Sequence, residues 1–101
     1  MTAAARIRVV VVDDHAVVRT GLGQLLGATD DIEVVGEAAD GSAALRVVAD
    51  AAPDVVLMDL QMPGVDGVEA TRAVLAAHPE VQVLVLTSYS DAERIVAALD
   101  A

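Results

Sequence analysis

Apolar residues along the chain form four short, nearly continuous runs separated by longer stretches with helical spacing. The runs predict strands at 7–12, 32–38, 55–58 and 81–86. After the first run, small or apolar residues at helical spacing predict a helix that Gly27 ends; they are Val17, Val18, Gly21, Leu22, Leu25 and Leu26. A second helix is predicted over 40–51, with Pro53 as its stop.

Two further helices begin at positions with the spacing of a capping box. Asp66 is followed three residues later by Glu69, and Ser90 by Glu93. The third helix is predicted to end near Pro79, and the fourth to reach the end of the chain. Strands that alternate with helices in this order predict right-handed crossovers and one parallel sheet, the α/β class.

Size and composition indicate one domain with an aliphatic core. The 101 residues suit a single domain, 55% of them are hydrophobic, and a single Tyr is the sole aromatic residue. The absence of cysteine excludes disulfides and thiolate metal sites. No apolar run is long enough to span a membrane, and the first residues lack a signal-peptide core, so we expect a cytoplasmic protein without a membrane partner.

The charge of the chain disfavours a direct contact with nucleic acid. The formal net charge is −10, and all six cations are Arg, with no Lys. A surface this acidic repels phosphate backbones, so this segment is not expected to bind them.

Polar residues follow three of the predicted strands. Asp13 and Asp14 follow the first, Asp59 the third and Thr87 the fourth. Because the strands of a parallel sheet end at one edge, where ligands bind, these side chains are expected to converge. Clustered carboxylates repel one another and favour a bound cation, and oxygen ligands of this kind suit Mg²⁺. Asp59 is then the best candidate for a nucleophile toward phosphorus, with a hydroxyl donating to a phosphoryl oxygen.

Simpler roles are open for most of these residues. Asp13 or Asp14 could cap the first helix, and Thr87 could be a turn residue. His15 is expected to be a solvated residue of the first helical turn. Asp59 lies too far before its helix to cap it, so a cap does not explain this residue.

Three motifs, in order along nearly the whole chain, resemble the receiver domain of two-component response regulators. They are VVVVDDHAVVRTGL, VVLMDLQMPGVDG and VLVLTSYSD. Within the first motif, DDH followed by VR and GL, with one residue between these last two pairs, resembles the sequences of one subfamily. In that subfamily the receiver precedes a LuxR-type helix-turn-helix domain.

The resemblance implies a flavodoxin-like doubly wound sheet and a phosphoacceptor signalling switch. Asp59 would accept a phosphoryl group from a histidine kinase, and Asp14, Asp59 and the backbone carbonyl of Gln61 would bind Mg²⁺. Asp13 would reach the ion through water, and Thr87 would carry the switch. Such a domain is not an enzyme, although it assists its own phosphoryl transfer, and it controls transcription through an attached DNA-binding domain.

The chain departs from the family pattern at its carboxyl end. It has four strand–helix units instead of five, so residues 1–101 are expected to be an incomplete receiver domain. The chain is then expected to be a fragment without its effector domain. The family carries a Lys after the fifth strand, and this chain has none, so phosphorylation is expected to be slow or absent. Tyr89 does not occupy the place of the family's aromatic switch residue. An uncovered fourth strand favours a homodimer or a domain-swapped oligomer.

Two other functions share features with this sequence. A pseudo-receiver, a protein-interaction module that is not phosphorylated, is consistent with the missing Lys. A haloacid-dehalogenase-like phosphatase also uses an Asp after a strand, but it needs a second Asp two residues later, where this chain has Gln61.

Overall fold

The computed structural model describes residues 6–59 and 67–86, which form one sheet and three helices. The strands are β1 (Ile7–Val12), β2 (Ile32–Ala38), β3 (Val55–Asp59) and β4 (Gln82–Leu86), and the helices are α1 (Ala16–Gly27), α2 (Gly41–Ala51) and α3 (Gly67–Ala77). The predicted order of strands and helices is confirmed in these ranges. The predicted fourth helix lies outside the described residues, as does Asp66 of the first capping box.

All four strands are parallel, in the order β2-β1-β3-β4, as in the flavodoxin-like doubly wound sheet. The central strand β1 pairs with β2 on one side and with β3 on the other, and a register shift between Val9 and Val10 interrupts its pairing with β2. Val12 is the register partner of Met58 in β3. The residues that follow these two partners therefore lie side by side.

The core lies between one face of the sheet and the helices α2 and α3, and it is aliphatic, as its composition predicts. Its buried members include Val10, Val12, Ala44, Val48, Val56, Met58, Ala70 and Val74. Strands with near-continuous apolar runs are typical of sheets that are buried on both faces. Val9 and Val11 alternate with Val10 and Val12 and are also buried, so β1 is covered on both sides.

Helix α2 approaches the sheet closely at Gly36. A Cβ atom added at this glycine would lie 2.5 Å from Cγ1 of Val47, a distance that Cβ atoms do not adopt. The absence of a side chain at Gly36 is what allows α2 to pack at this distance from β2.

The other face of the sheet is covered less completely. None of the α1 residues, all of which the structure describes, is fully buried, and Val17 is 86% exposed although it fits the helical pattern. Beside α1, an apolar cavity of about 190 Å³ is lined by Leu26, Ile7 and Leu84 among others. Leu84 on β4 is 55% exposed. Within residues 6–59 and 67–86, we find no helix with the length and apolarity needed to cross a membrane.

Candidate functional site

Three carboxylates meet at the carboxyl edge of the sheet. Asp13 follows β1 directly and Asp59 is the last residue of β3, so the pairing of Val12 with Met58 brings the two Asp side by side. One ligand atom from each of Asp13, Asp14, Asp59 and His15 lies within 4.8 Å of the corresponding atoms of the others. The structure therefore gathers the acidic residues that strand order and parallel geometry predict.

Asp13 is 6% exposed, and hydrogen bonds hold it on several sides. Its backbone N–H donates to the carbonyl oxygen of Ala38 at 3.0 Å, which ties the start of the β1–α1 loop to the end of β2. Its carboxylate Oδ1 accepts the backbone N–H of His15 at 2.8 Å and lies 3.2 Å from Nδ1 of the same residue. The orientation of this carboxylate is therefore set by the protein itself.

Asp14 carries an unsatisfied oxygen. Its Oδ1 atom is buried and accepts no hydrogen bond from the described residues. Nδ1 of His15 lies 3.0 Å from this atom without forming a hydrogen bond to it. A buried carboxylate oxygen without a partner is costly, and a cation beside Asp13 and Asp59 would satisfy it. The donor set, carboxylate oxygens of which one accepts no hydrogen bond, fits a hard divalent cation such as Mg²⁺.

His15, rather than either aspartate, is the N-cap residue of α1, and its side chain makes no capping hydrogen bond. The interpretation of Asp13 or Asp14 as the cap of α1 is therefore wrong. The His15 side chain is largely exposed, as expected, but its ring also contacts both carboxylates. Sequence reasoning missed these contacts, although the position of His15 directly after the acidic pair was the available signal.

Arg19 and Glu37 also reach this edge of the sheet, and sequence reasoning did not identify either residue. Nη1 of Arg19 donates to the carbonyl oxygen of Asp13 at 2.7 Å, and its Nε lies 3.4 Å from Oε1 of Glu37. The available signal was the Arg of the VR.GL pattern, which lies in the second turn of α1 and faces back toward the loop.

Two predicted site residues, Gln61 and Thr87, lie outside the described residues. Asp59 is 9% exposed and pairs in register with Leu86, the last residue of β4. Thr87 follows Leu86 directly in the sequence. The placement of Gln61 and Thr87 at the site stays a prediction.

A parallel sheet in this strand order, with three carboxylates at its carboxyl edge, defines an α/β domain of the flavodoxin-like class with an acidic site. Residues 9–101 match the response regulator receiver domain family. The chain belongs to this family.

Relatives with known structures and curated descriptions agree with this assignment. The chain is 50% identical over 95 residues to the transcriptional regulatory protein YhcZ of Bacillus subtilis (strain 168). The match covers 94% of this chain and 44% of YhcZ. It is 38% identical to the signal receiver domain of the response regulator NarL from Mycobacterium tuberculosis, with a TM-score of 0.87 and coverage of 95% of this chain and 77% of that one.

A LuxR-family response regulator from Aurantimonas sp. SI85-9A1 is 34% identical, with a TM-score of 0.80, and the match covers 93% of this chain and 69% of that one. The resemblance to regulators of the LuxR type is therefore confirmed. The chain spans less than half the length of YhcZ.

Proposed function

We propose that this chain is the phosphoacceptor part of a transcriptional switch. Asp59 receives a phosphoryl group from a histidine kinase in the cytoplasm, and the resulting change controls transcription through an attached DNA-binding domain. The observation that supports this proposal most directly is the gathering of Asp13, Asp14 and Asp59 within 4.8 Å of one another in a receiver-family chain.

The position of Asp59 suits a nucleophile. An oxygen of its carboxylate forms the new O–P bond while the P–N bond to the phosphohistidine donor breaks. Asp59 is 9% exposed at the end of a strand with neighbours on both sides, so a phosphoryl donor would have to reach it from the carboxyl edge of the sheet. The same burial limits the access of water to the acyl phosphate that results.

Asp14 and Asp59 would hold Mg²⁺ directly, together with the backbone carbonyl of Gln61, and Asp13 would hold it through a water molecule. When bound, Mg²⁺ offsets the negative charge on the transferring phosphoryl group. The unsatisfied Oδ1 of Asp14 supports this assignment. Thr87 would donate a hydrogen bond to a phosphoryl oxygen and carry the change to the rest of the domain.

We also propose that the chain forms a homodimer or a domain-swapped oligomer. The support is the apolar face of the sheet beside α1, where Leu84 is more than half exposed and Ile7 is also exposed. A second copy that packs on this surface would bury its exposed apolar side chains. Size-exclusion chromatography with light scattering tests this, and a monomer at high protein concentration would contradict it.

A pseudo-receiver that binds a partner without being phosphorylated is the second candidate function. The observation that favours it is that residues 1–101 contain no Lys, the cation that the family carries near its phosphoryl site.

Incubation with acetyl phosphate and MgCl₂, followed by intact-mass spectrometry, separates the two functions. The switch predicts slow addition of one phosphoryl group to the wild-type chain, none to Asp59→Asn, and none when EDTA replaces MgCl₂. Equal labelling of Asp59→Asn would exclude Asp59 as the nucleophile. No labelling of the wild-type chain, under conditions that label a full-length relative, would favour the pseudo-receiver.

A further inference from the structure

The peptide group that joins the two site aspartates Asp13 and Asp14 is held by Arg19. The carbonyl oxygen of Asp13 belongs to this peptide group, and Nη1 of Arg19 donates to it at 2.7 Å. On the other side of Asp13, the backbone N–H is bound to Ala38. The backbone of Asp13 is therefore fixed from both directions, once by β2 and once by α1.

Arg19 is itself fixed by Glu37. Nε of Arg19 lies 3.4 Å from Oε1 of Glu37, and the Arg19 side chain is mostly buried. Glu37 directly precedes Ala38, the residue that accepts the Asp13 N–H. The interaction between Arg19 and Glu37, called here the Arg19–Glu37 bridge, thus links helix α1, the end of β2 and the loop that carries the acidic pair.

Gly23 makes room for the bridge. A Cβ atom at this position of α1 would lie 3.2 Å from Oε2 of Glu37, closer than most Cβ contacts, so the carboxylate would have to move. The glycine lets Glu37 lie against the helix one turn after Arg19. The hydrogen bond from Arg19 to Asp13, the Arg19–Glu37 bridge and the space at Gly23 therefore all support the same position of the Arg19 side chain.

We propose that Arg19 is a positioning residue for the cation site. Together with Glu37, it sets the orientation of the peptide between Asp13 and Asp14, so that both carboxylates face the space they share with Asp59. Arg19 acts through the backbone oxygen of Asp13 and through Glu37. The inference rests on the proposed function, because it assumes that this space takes a divalent cation.

A simple charge effect predicts the opposite outcome. A guanidinium close to an acidic site repels a divalent cation, so its removal should strengthen cation binding if Arg19 acts only through its charge. If Arg19 positions the aspartates, its removal weakens cation binding. The sign of the change therefore distinguishes the two roles.

The first test measures Mg²⁺ and Mn²⁺ binding to the full chain by isothermal titration calorimetry. We expect Arg19→Gln to weaken Mg²⁺ binding roughly tenfold, which corresponds to about 1.4 kcal/mol. Arg19→Lys keeps the charge but replaces the planar fork by a single donor group, so it should restore binding only in part. Arg46→Gln removes the same charge from an exposed position on α2 and should leave binding unchanged.

A double-mutant cycle tests the bridge itself. Glu37→Gln should also weaken Mg²⁺ binding, and the double variant Arg19→Gln/Glu37→Gln should be no weaker than Arg19→Gln alone, because both changes break one arrangement. Independent, additive losses would contradict the bridge. Glu37→Gln and Arg19→Lys also serve as milder variants if Arg19→Gln proves unstable by thermal unfolding.

The second test needs no metal. In EDTA, NMR hydrogen exchange of the Asp13 amide should be at least severalfold faster in Arg19→Gln than in the wild-type chain, while the amide of Leu57 in β3 should be unaffected. Unchanged exchange at Asp13, or Mg²⁺ binding that is equal or tighter in Arg19→Gln, overturns the positioning role and leaves the proposed function intact. A wild-type chain that binds neither ion, with Asp13 exchange still dependent on Arg19, overturns the proposed function and its cation site while retaining the bridge.

Discussion

Asp13 and Asp59 lie at equivalent positions on neighbouring parallel strands, because each directly follows one member of the register pair Val12 and Met58. A slip of one residue in this pairing would turn one of the two carboxylates to the other face of the sheet. The alignment of β1 with β3, whose side chains belong to the core, therefore also determines the geometry of the acidic site.

Asp14→Asn should stabilise the metal-free protein by about 1–2 kcal/mol, since it removes one negative charge from the cluster at a position where a buried carboxylate oxygen accepts no hydrogen bond. Urea unfolding in EDTA measures this change. Asp50→Asn, at an exposed position on α2, is the matched control and should have little effect. A loss of stability in Asp14→Asn would show that the carboxylate is already satisfied within the protein.

Mg²⁺ should stabilise the wild-type chain by about 2.7 kcal/mol at a free concentration about 100 times its Kd, because the folded state alone has the three carboxylates together. The measurement is urea unfolding with and without MgCl₂, at constant ionic strength. In Asp14→Asn most of this gain should disappear. A gain of equal size in the variant would place the bound ion away from Asp14.

Gly36→Ala should destabilise the fold by about 1–3 kcal/mol, because the added methyl group would overlap Val47 and force α2 away from β2. Gly21→Ala in α1 is a control of opposite sign: open space surrounds this position, so the better helix propensity of Ala should stabilise by up to about 1 kcal/mol. Thermal or urea unfolding compares the two. If Val47→Ala failed to recover part of the loss in Gly36→Ala, the close contact would not be its cause.

Ala52→Gly should stabilise the protein by about 0.5–1 kcal/mol. Ala52 ends α2 with φ of 49°, a left-handed conformation that glycine adopts without strain. Ala51→Gly, one residue earlier in the helix, should instead destabilise by about 0.5–1 kcal/mol. The difference in unfolding free energy between these two variants tests the helix end directly, and equal effects would contradict it.

Sequence patterns predict most of this fold, because the strands are continuous apolar runs and the helices have clear ends. The convergence of Asp13, Asp14 and Asp59 could also be predicted, since parallel strands end at one edge. The exposure of Val17 on α1 could not be predicted. Val17 belongs to the same periodic pattern as residues that face the sheet, and the pattern alone does not show how wide a face of the helix is covered.

The contacts of Arg19 and Glu37 depend on side-chain orientation and on the register of β1 with β2, including its irregularity between Val9 and Val10. The spacing of apolar residues along the chain predicts neither the side-chain orientation nor the register. The left-handed conformation of Ala52 could not be predicted either. Pro53 is sufficient to explain the end of α2, and alanine is not a residue typical of this conformation.

The backbone of Asp13, anchored to Ala38 and Arg19 before any ion arrives, has a thermodynamic consequence. A loop that is already ordered loses little conformational entropy on binding, so more of the interaction energy appears as affinity. Because this loop is already ordered, we expect the cation to bind without further folding of the domain. Calorimetry should then give a small heat-capacity change for ion binding.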